Sequence, residues 1–236
     1  MTKQQAAHTI ESNKNATPGW RINTEFQRIS ADVVSKAAAI PVAVIGDVSN
    51  RLFCFSAGFD NYSKTALGFA GPALTVKVRP GDNLFLHKAL DIALPGDVVI
   101  CDAGGADETA ILGEMMGRYG ASRGIAAIII NGAIRDRKGL ASLPIPVYAR
   151  GVTPNGPWKS GPGEIGHPIV AGGVSVTPGD LVVGDEDGVI ILPREDAAMV
   201  IEKAEAQHRL EMVWADQIAK REWPRNWVDA EINAQA

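Results

Sequence analysis

The sequence predicts a layered α/β sandwich rather than a doubly wound sheet. The middle of the chain alternates apolar β-branched runs with helical patterns, as parallel crossover units do. From Gly172 onward the pattern becomes β-only. A long amphipathic stretch, Arg194 to Arg221, then closes the chain. Crossover units joined to a β-only half make packed layers.

The elements follow in order. Residues 1–20 read as a flexible arm, polar and rich in Gln, Asn and Thr. Phe26, Ile29, Val33, Val34 and Ala37 have helical spacing over 25–39, and Pro41 stops that helix. Val42 to Ile45 reads as a short buried strand. Leu84 to Leu94 reads as a helix, Val98 to Cys101 as a strand, Asp107 to Ala121 as a helix. Ala126 to Ile130 and Ile145 to Ala149 are further strands. Val174–Val176, Leu181–Val183 and Val189–Leu192 complete the β-only half, and Asp185-Glu186-Asp187-Gly188 is a hairpin turn, not a calcium loop. Pro80-Gly81-Asp82, Pro95-Gly96-Asp97 and Pro178-Gly179-Asp180 suit type II turns. In the closing helix Ala197, Val200, Ile201, Ala204, Leu210, Val213, Trp214 and Ile218 form an apolar side. That length, with Trp223 and Trp227 beyond it, predicts packing on a second subunit. The chain divides into an arm (1–20), a main domain (21–193) and a C-terminal helix and tail (194–236).

Bulk properties exclude several classes. At 236 residues there is room for one large domain or two small ones. The net charge of -4, with no basic run beyond Arg135-Asp136-Arg137-Lys138, argues against a nucleic-acid partner. No stretch approaches the roughly 20 apolar residues of a membrane span, and Met1 to Trp20 has no apolar core like a secretory leader's. A cytoplasmic protein without a membrane partner is expected. Cys54 and Cys101 lie in apolar runs and read as buried free thiols.

Gly161-Pro162-Gly163-Glu164-Ile165-Gly166 matches a dinucleotide fingerprint in letters only. It follows no clear strand, and His167-Pro168 prevents the helix that should receive a pyrophosphate, so it reads as a loop, one that with Trp158 and Lys159 beside it could cover a pocket. No P-loop and no nucleophile elbow is present. None of the four histidines has a metal-ligand partner at helical spacing, and His87 reads as a core residue.

The stretch with most chemistry is Gly113-Glu114-Met115-Met116, followed after twenty intervening positions (115–134) by Arg135-Asp136. A helix and then a buried strand between them could bring two carboxylates and a guanidinium to one end of a layer. Arg grips a carboxylate in a fork, a hard cation takes carboxylate oxygens, and helix N-terminal amides take anionic oxygen. Spacing alone leaves two readings open: a binding site, or a solvated helix carboxylate beside an ordinary strand-end ion pair.

Those residues, with Arg123-Gly124, Asn131-Gly132-Ala133-Ile134 and Pro146 to Gly151, resemble the RraA-like family. The likeness extends over about residues 40–193, through Gly71 to Val76, Gly172-Gly173-Val174 and Asp185 to Val189. That family includes class II 4-hydroxy-4-methyl-2-oxoglutarate/4-carboxy-4-hydroxy-2-oxoadipate aldolases and the regulator of ribonuclease activity A. The resemblance implies a three-layer β/β/α swivelling-domain sandwich, assembled as trimers or hexamers. It implies a Mg2+- or Mn2+-dependent aldolase that releases pyruvate from a 2-oxo acid, with oxaloacetate decarboxylase activity. By the resemblance Asp136 ligates the metal directly and Glu114 does so through water. Arg135 binds the pyruvyl carboxylate and keto oxygen, and the amides of Met115 and Met116, after Gly113, take carboxylate oxygens. An acidic residue from a neighbour's C-terminal helix completes the site, Glu211 first and Glu205 second. The competing reading is a ribonuclease-regulating binder without catalysis. A related lyase, hydratase or decarboxylase on another 2-oxo acid is the third. Retention of Glu114, Arg135 and Asp136 favours an enzyme, because a pure binder needs no such trio.

Overall fold

A computed structural model describes residues 12–13, 15–64 and 68–235. Its main sheet is nine-stranded and mixed. Four strands run parallel at its centre: β2 (Phe69–Val78), β3 (Val98–Asp102), β5 (Ala127–Ile134) and β6 (Val147–Val152). The short β1 (Asp60–Asn61) edges β6. On the other side β2 pairs antiparallel with β10 (Leu181–Asp185), which forms a hairpin with β11 (Gly188–Leu192). Two short strands sit off this path: β4 (Ala110–Leu112) beside the end of β5, and β7 (Gly163–Ile165) beside the end of β2. β8 (Ile169–Ala171) and β9 (Val174–Val176) form a separate hairpin.

Alternation along the strands builds the layers. In β3, Val99 and Cys101 join one core cluster while Val98 and Ile100 join another. The first cluster is closed by α3 (Leu84–Ile92) and α4 (Glu114–Ser122). The second lies against β8, β9 and one face of β10–β11, because the sheet curls back on itself. The opposite face of β10–β11, with Leu181, Val183, Ile190 and Leu192, packs under α1 (Ala31–Ala37), α2 (Val42–Val48) and the start of α6 (Arg194–Lys220). The expected β/β/α sandwich is therefore present, with a further helical cover on its outer sheet. A one-turn α5 (Arg137–Leu140) follows β5, and α7 (Asn226–Gln235) ends the described chain.

Several expectations need correction. Val42 to Ile45 is helical in α2, not a strand. Short apolar runs do not separate the two periods, and Asp185 Oδ2 accepts the Val42 N–H at 2.8 Å to start the helix. The helix expected over 25–39 spans only Ala31–Ala37, because Ser30 caps it and residues before it are held extended. Arg28 makes a two-pronged pair with buried Asp97 (2.7 and 2.9 Å), and the Ile29 N–H donates to the Gly179 carbonyl. The helix expected from Asp107 begins only at Glu114, because β4 pairs with β5 first. Gly163–Ile165 is a strand rather than loop. Cys54 is exposed beside β11, and only Cys101 is buried; both thiols are free.

The three Pro-Gly-Asp turns hold, with positive φ at Gly81, Gly96 and Gly179. Each Asp is buried and employed. Asp180 accepts the Arg194 N–H that opens α6. Asp82 accepts N–H groups from Leu84, Ser160 and Gly161 at 2.7–2.9 Å, so it fastens the segment bearing Lys159 to the start of α3.

The first eleven residues of the expected arm, and Lys14, lie outside the described residues. Residues from Gly19 onward lie along β7. Arg21 makes a two-pronged pair with Glu164 (2.8 and 2.9 Å), the Gly19 N–H donates to the same carboxylate, and Trp20 packs edge-on against Phe85. In α6 only Ala197, Val200, Ile201 and Ala204 are buried. Beyond Ala204 no described residue of α6 or α7 is fully buried. Leu210, Val213 and Ile218, expected on one apolar side, are exposed, and Trp214 lies tilted against Trp223.

Candidate active site

The site forms where β4 and β5 end together. Leu112 pairs with Ile134, and the Arg135 N–H donates to the Leu112 carbonyl at 2.9 Å. Two chain turns therefore lie side by side: Gly113 into α4, and Arg135-Asp136 into α5. Asp136 adopts a left-handed backbone, φ 60° and ψ 40°. Such a conformation costs about 1 kcal/mol or more outside glycine, though Asp tolerates it better than most. It turns the carboxylate back onto the α4 N-terminus, where Oδ2 accepts the Glu114 N–H at 3.1 Å. The Arg135 Nε lies 3.7 Å from the same oxygen.

Gly113 is required by this close approach. A Cβ there would overlap Asp136 Oδ2 and lie 3.2 Å from Arg135 Cγ. Gly156 backs the guanidinium in the same way, its would-be Cβ 2.9 Å from Arg135 Nη1. Glu114 is held from its own helix: Arg118 Nε donates to Oε1 at 2.7 Å. A Cβ at Gly139 would overlap the Glu114 carboxyl group. The first-turn N–H groups of α4 have no intrahelical acceptor; Glu114's goes to Asp136, and those of Met115 and Met116 follow it on a terminus that favours anions.

Of the residues singled out from sequence, Gly113, Met115, Met116, Arg135 and Asp136 line one cavity of about 160 Å3. Glu114 and Asp136 share the hollow beside it. No residue of α6 lines either, so Glu205 and Glu211 are not joined to the site within one chain. Glu211 accepts from Gln207 Nε2 instead. No group of three or more His, Cys, Asp or Glu placed to hold a metal occurs among the described residues.

Sequence reasoning missed part of this cavity. Asn83 and His87 line it as well, beside Lys159 from the loop expected to cover a pocket. Asn83 and His87 are one turn apart on α3, and this i, i+4 spacing after an Asp-containing turn was the available signal. His87 is half-buried rather than a core residue. Burial pushes its pKa down, Lys159 adds to that, and Asp91 opposes it, so the imidazole is neutral at pH 7. Asn83 is buried; its Nδ2 donates to the Ile111 carbonyl at 3.0 Å, and its Oδ1 has no partner among the described residues.

Residues 42–191 match the family model described as RraA-like, Aldolase/RraA. The chain belongs to the RraA-like family. Among its RraA-like relatives, one from Halalkalibacterium halodurans is 38% identical over 173 residues, 73% of this chain and 82% of that one, and its name gives it provisionally as a 4-hydroxy-4-methyl-2-oxoglutarate aldolase. A Thermus thermophilus relative named 4-hydroxy-4-methyl-2-oxoglutarate aldolase is 38% identical over 125 residues, 53% of this chain and 76% of that one. The solved structure of Streptomyces coelicolor RraAS2, described as an unusual member of the RNase ES inhibitor RraA family, superposes with a TM-score of 0.72 at 29% identity, over 80% of this chain and 98% of that one. The RraA-like fold expected from sequence is thus the fold found. No helix among the described residues is long and apolar enough to cross a membrane.

Proposed function

We propose that this protein is a divalent-metal-dependent class II aldolase that cleaves a 4-hydroxy-2-oxo di- or tricarboxylic acid to release pyruvate, and that it also decarboxylates oxaloacetate. The observation that carries this reading is the meeting of Arg135, Asp136 and Glu114 around Gly113 at the α4 N-terminus. The aldolase names of its relatives agree with it.

The donor set suits a hard cation. Mg2+ is held in many enzymes by one or two carboxylates, its other positions going to water and substrate oxygens. Asp136 offers a half-exposed carboxylate at a fixed backbone angle, and Glu114 stands beside it. Asp136 would hold Mg2+ or Mn2+ directly and Glu114 through water. Such an ion, when bound, acts as a Lewis acid toward the 2-oxo acid and favours the enolate.

The chain's own groups do the rest. Arg135 grips the pyruvyl carboxylate and keto oxygen as a fork, and its charge favours the developing enolate. The Met115 and Met116 amides take the remaining carboxylate oxygen. A water held by Glu114 takes the proton of the 4-hydroxyl. The C3–C4 electron pair then passes into the enolate, a carbonyl product leaves, and protonation at C3 gives pyruvate. Oxaloacetate reaches the same enolate by losing carbon dioxide.

The exposed apolar length of α6 and α7 supports a trimer or hexamer, in which Glu211 or Glu205 would reach a neighbour's site. The test is pyruvate release from a panel of 4-hydroxy-2-oxo acids and oxaloacetate, after chelation and after return of Mg2+. Metal-restored release from at least one hydroxy acid is expected. Chelator-resistant release would remove the metal from the reading, and no release from any would leave the ribonuclease-regulating alternative.

A further inference from the structure

We infer that residues 19–23 are a strap that holds part of the candidate active-site wall in place, with Trp20 as its positioning residue, so that this segment sets how tightly the cavity grips its substrate. The inference rests on the 2-oxo-acid reading of the cavity. It goes beyond that reading, because the strap precedes the family match, which begins at residue 42.

Part of the cavity wall comes from outside the Arg135 and Asp136 cluster. Asn83 and His87 supply it from the start of α3, with Pro157 and Lys159 from the segment before β7. Trp158, Lys159 and Ser160 are exposed, so this segment has little packing of its own. Backbone bonds tie it to the turn ahead of α3. The Trp158 N–H donates to the Gly81 carbonyl at 2.8 Å, and the Asn83 N–H to the Trp158 carbonyl at 3.0 Å. Asp82 accepts the N–H groups of Ser160 and Gly161.

Trp20 does not line the cavity; it stands behind this wall and touches both of its pieces. Its ring packs edge-on against buried Phe85 of α3, with centroids 5.7 Å apart. A Cβ at Gly161 would lie 2.9 Å from Trp20 Cη2, so the ring closes over that glycine as well. A large, rigid indole between a helix and a loop fixes their spacing. The strap keeps the indole there. It lies along β7, where the Gly163 N–H donates to the Gly19 carbonyl at 2.7 Å and the Ile165 N–H to the Arg21 carbonyl at 3.0 Å. The Asn23 N–H returns to the Ile165 carbonyl at 2.9 Å, and Arg21 adds its pair with Glu164. A wall released from Trp20 fits the substrate less well, while Arg135 and Asp136 stand on other elements and keep their places. Such a change raises KM and spares kcat.

The experiment follows amide hydrogen exchange by mass spectrometry in wild type, Trp20→Ala and Trp20→Phe, beside kinetics with Mg2+ on the 4-hydroxy-2-oxo acid that wild type cleaves best. Trp20→Ala should exchange faster over 157–161, with β3 and β5 unchanged. Its KM should rise by about tenfold or more, with kcat within about threefold of wild type. Trp20→Phe keeps an aromatic ring against Phe85 and should restore most of both. Arg21→Gln loosens the strap without touching the core, and should raise KM in the same direction by about twofold to fivefold. Unchanged exchange over 157–161 in Trp20→Ala overturns the inference and leaves the aldolase reading standing. So does a lowered kcat at unchanged KM, as loss of folded enzyme alone would give. Wild type that releases no pyruvate overturns the aldolase reading; faster exchange over 157–161 in Trp20→Ala then keeps the strap, and unchanged exchange removes both.

Discussion

At the residue scale the site depends on a few atoms that cannot be exchanged for near neighbours. Asp136 offers its carboxylate because its backbone is left-handed and Gly113 leaves room for it. Asp136→Ala is expected to abolish Mg2+-dependent pyruvate release while the melting temperature changes little; turnover near the wild-type rate would exclude its metal role. Arg135→Lys keeps the charge and loses the fork. The expected loss is about 2–4 kcal/mol of transition-state stabilisation, roughly 30- to 1000-fold in kcat/KM. A rate within about threefold of wild type would contradict that role. Gly113→Ala probes the geometry without touching a functional group. Its methyl must push Asp136 or Arg135 aside, so activity should fall by at least about tenfold, as a small misplacement of reacting groups predicts. These residues were legible in the sequence because their spacing suggested a meeting of charges and the family resemblance chose between the two readings that spacing left open. Asn83 was not, because nothing local marks an orphaned oxygen.

At the element scale, the strands expected from buried apolar runs are present, but the ten-residue β2 was not anticipated and the short elements were read poorly. β3, β5, β10 and β11 are largely buried runs rich in β-branched residues, and such runs have few alternatives. α2 and β4 are short apolar runs whose form was decided by a partner: Asp185 at the α2 N-terminus, the end of β5 for β4. The segment around Trp20 and Arg21 is held likewise by a distant residue. The hydrogen bond from Arg21 keeps the Glu164 carboxyl below its ordinary range; burial opposes this, and the Gly19 N–H assists. A carboxyl with a depressed folded pKa stabilises the fold above its unfolded value and loses that contribution as pH falls through the folded value. Glu164→Gln should therefore melt a few degrees below wild type at pH 7, roughly 1–4 °C. The gap should close as pH falls below the ordinary glutamate value of about 4.5. A gap constant from pH 7 to about pH 3 would show that the ion pair does not hold this segment.

At the scale of the whole molecule, the C-terminal region is where large apolar side chains are left exposed on successive helices. Ala197 to Ala204 belong to the core over β10–β11, but Met212, Val213, Ile218, Trp227 and Ile232 are each more than half exposed. That much apolar surface on consecutive turns is more than a lone subunit ordinarily shows. A chain ending at Ala206 keeps the buried turns. It is expected to fold, to lose the trimer or hexamer in light scattering, and to lose activity with it. A full-length chain that runs as an active 25.0 kDa monomer would refute both the assembly and a shared Glu205 or Glu211. The sequence by itself determined the sandwich, the hairpin at Asp185–Gly188, the type II turns and the Glu114, Arg135 and Asp136 trio. Periodicity, turn chemistry and residue type are local properties, and a chain states them directly. Tertiary structure alone decided that β4 precedes α4, that Asp82 ties Lys159 to Asn83, and that α6 leaves the body after Ala204. Each of those depends on a partner distant in sequence, and only the folded chain brings such partners within a hydrogen bond's length.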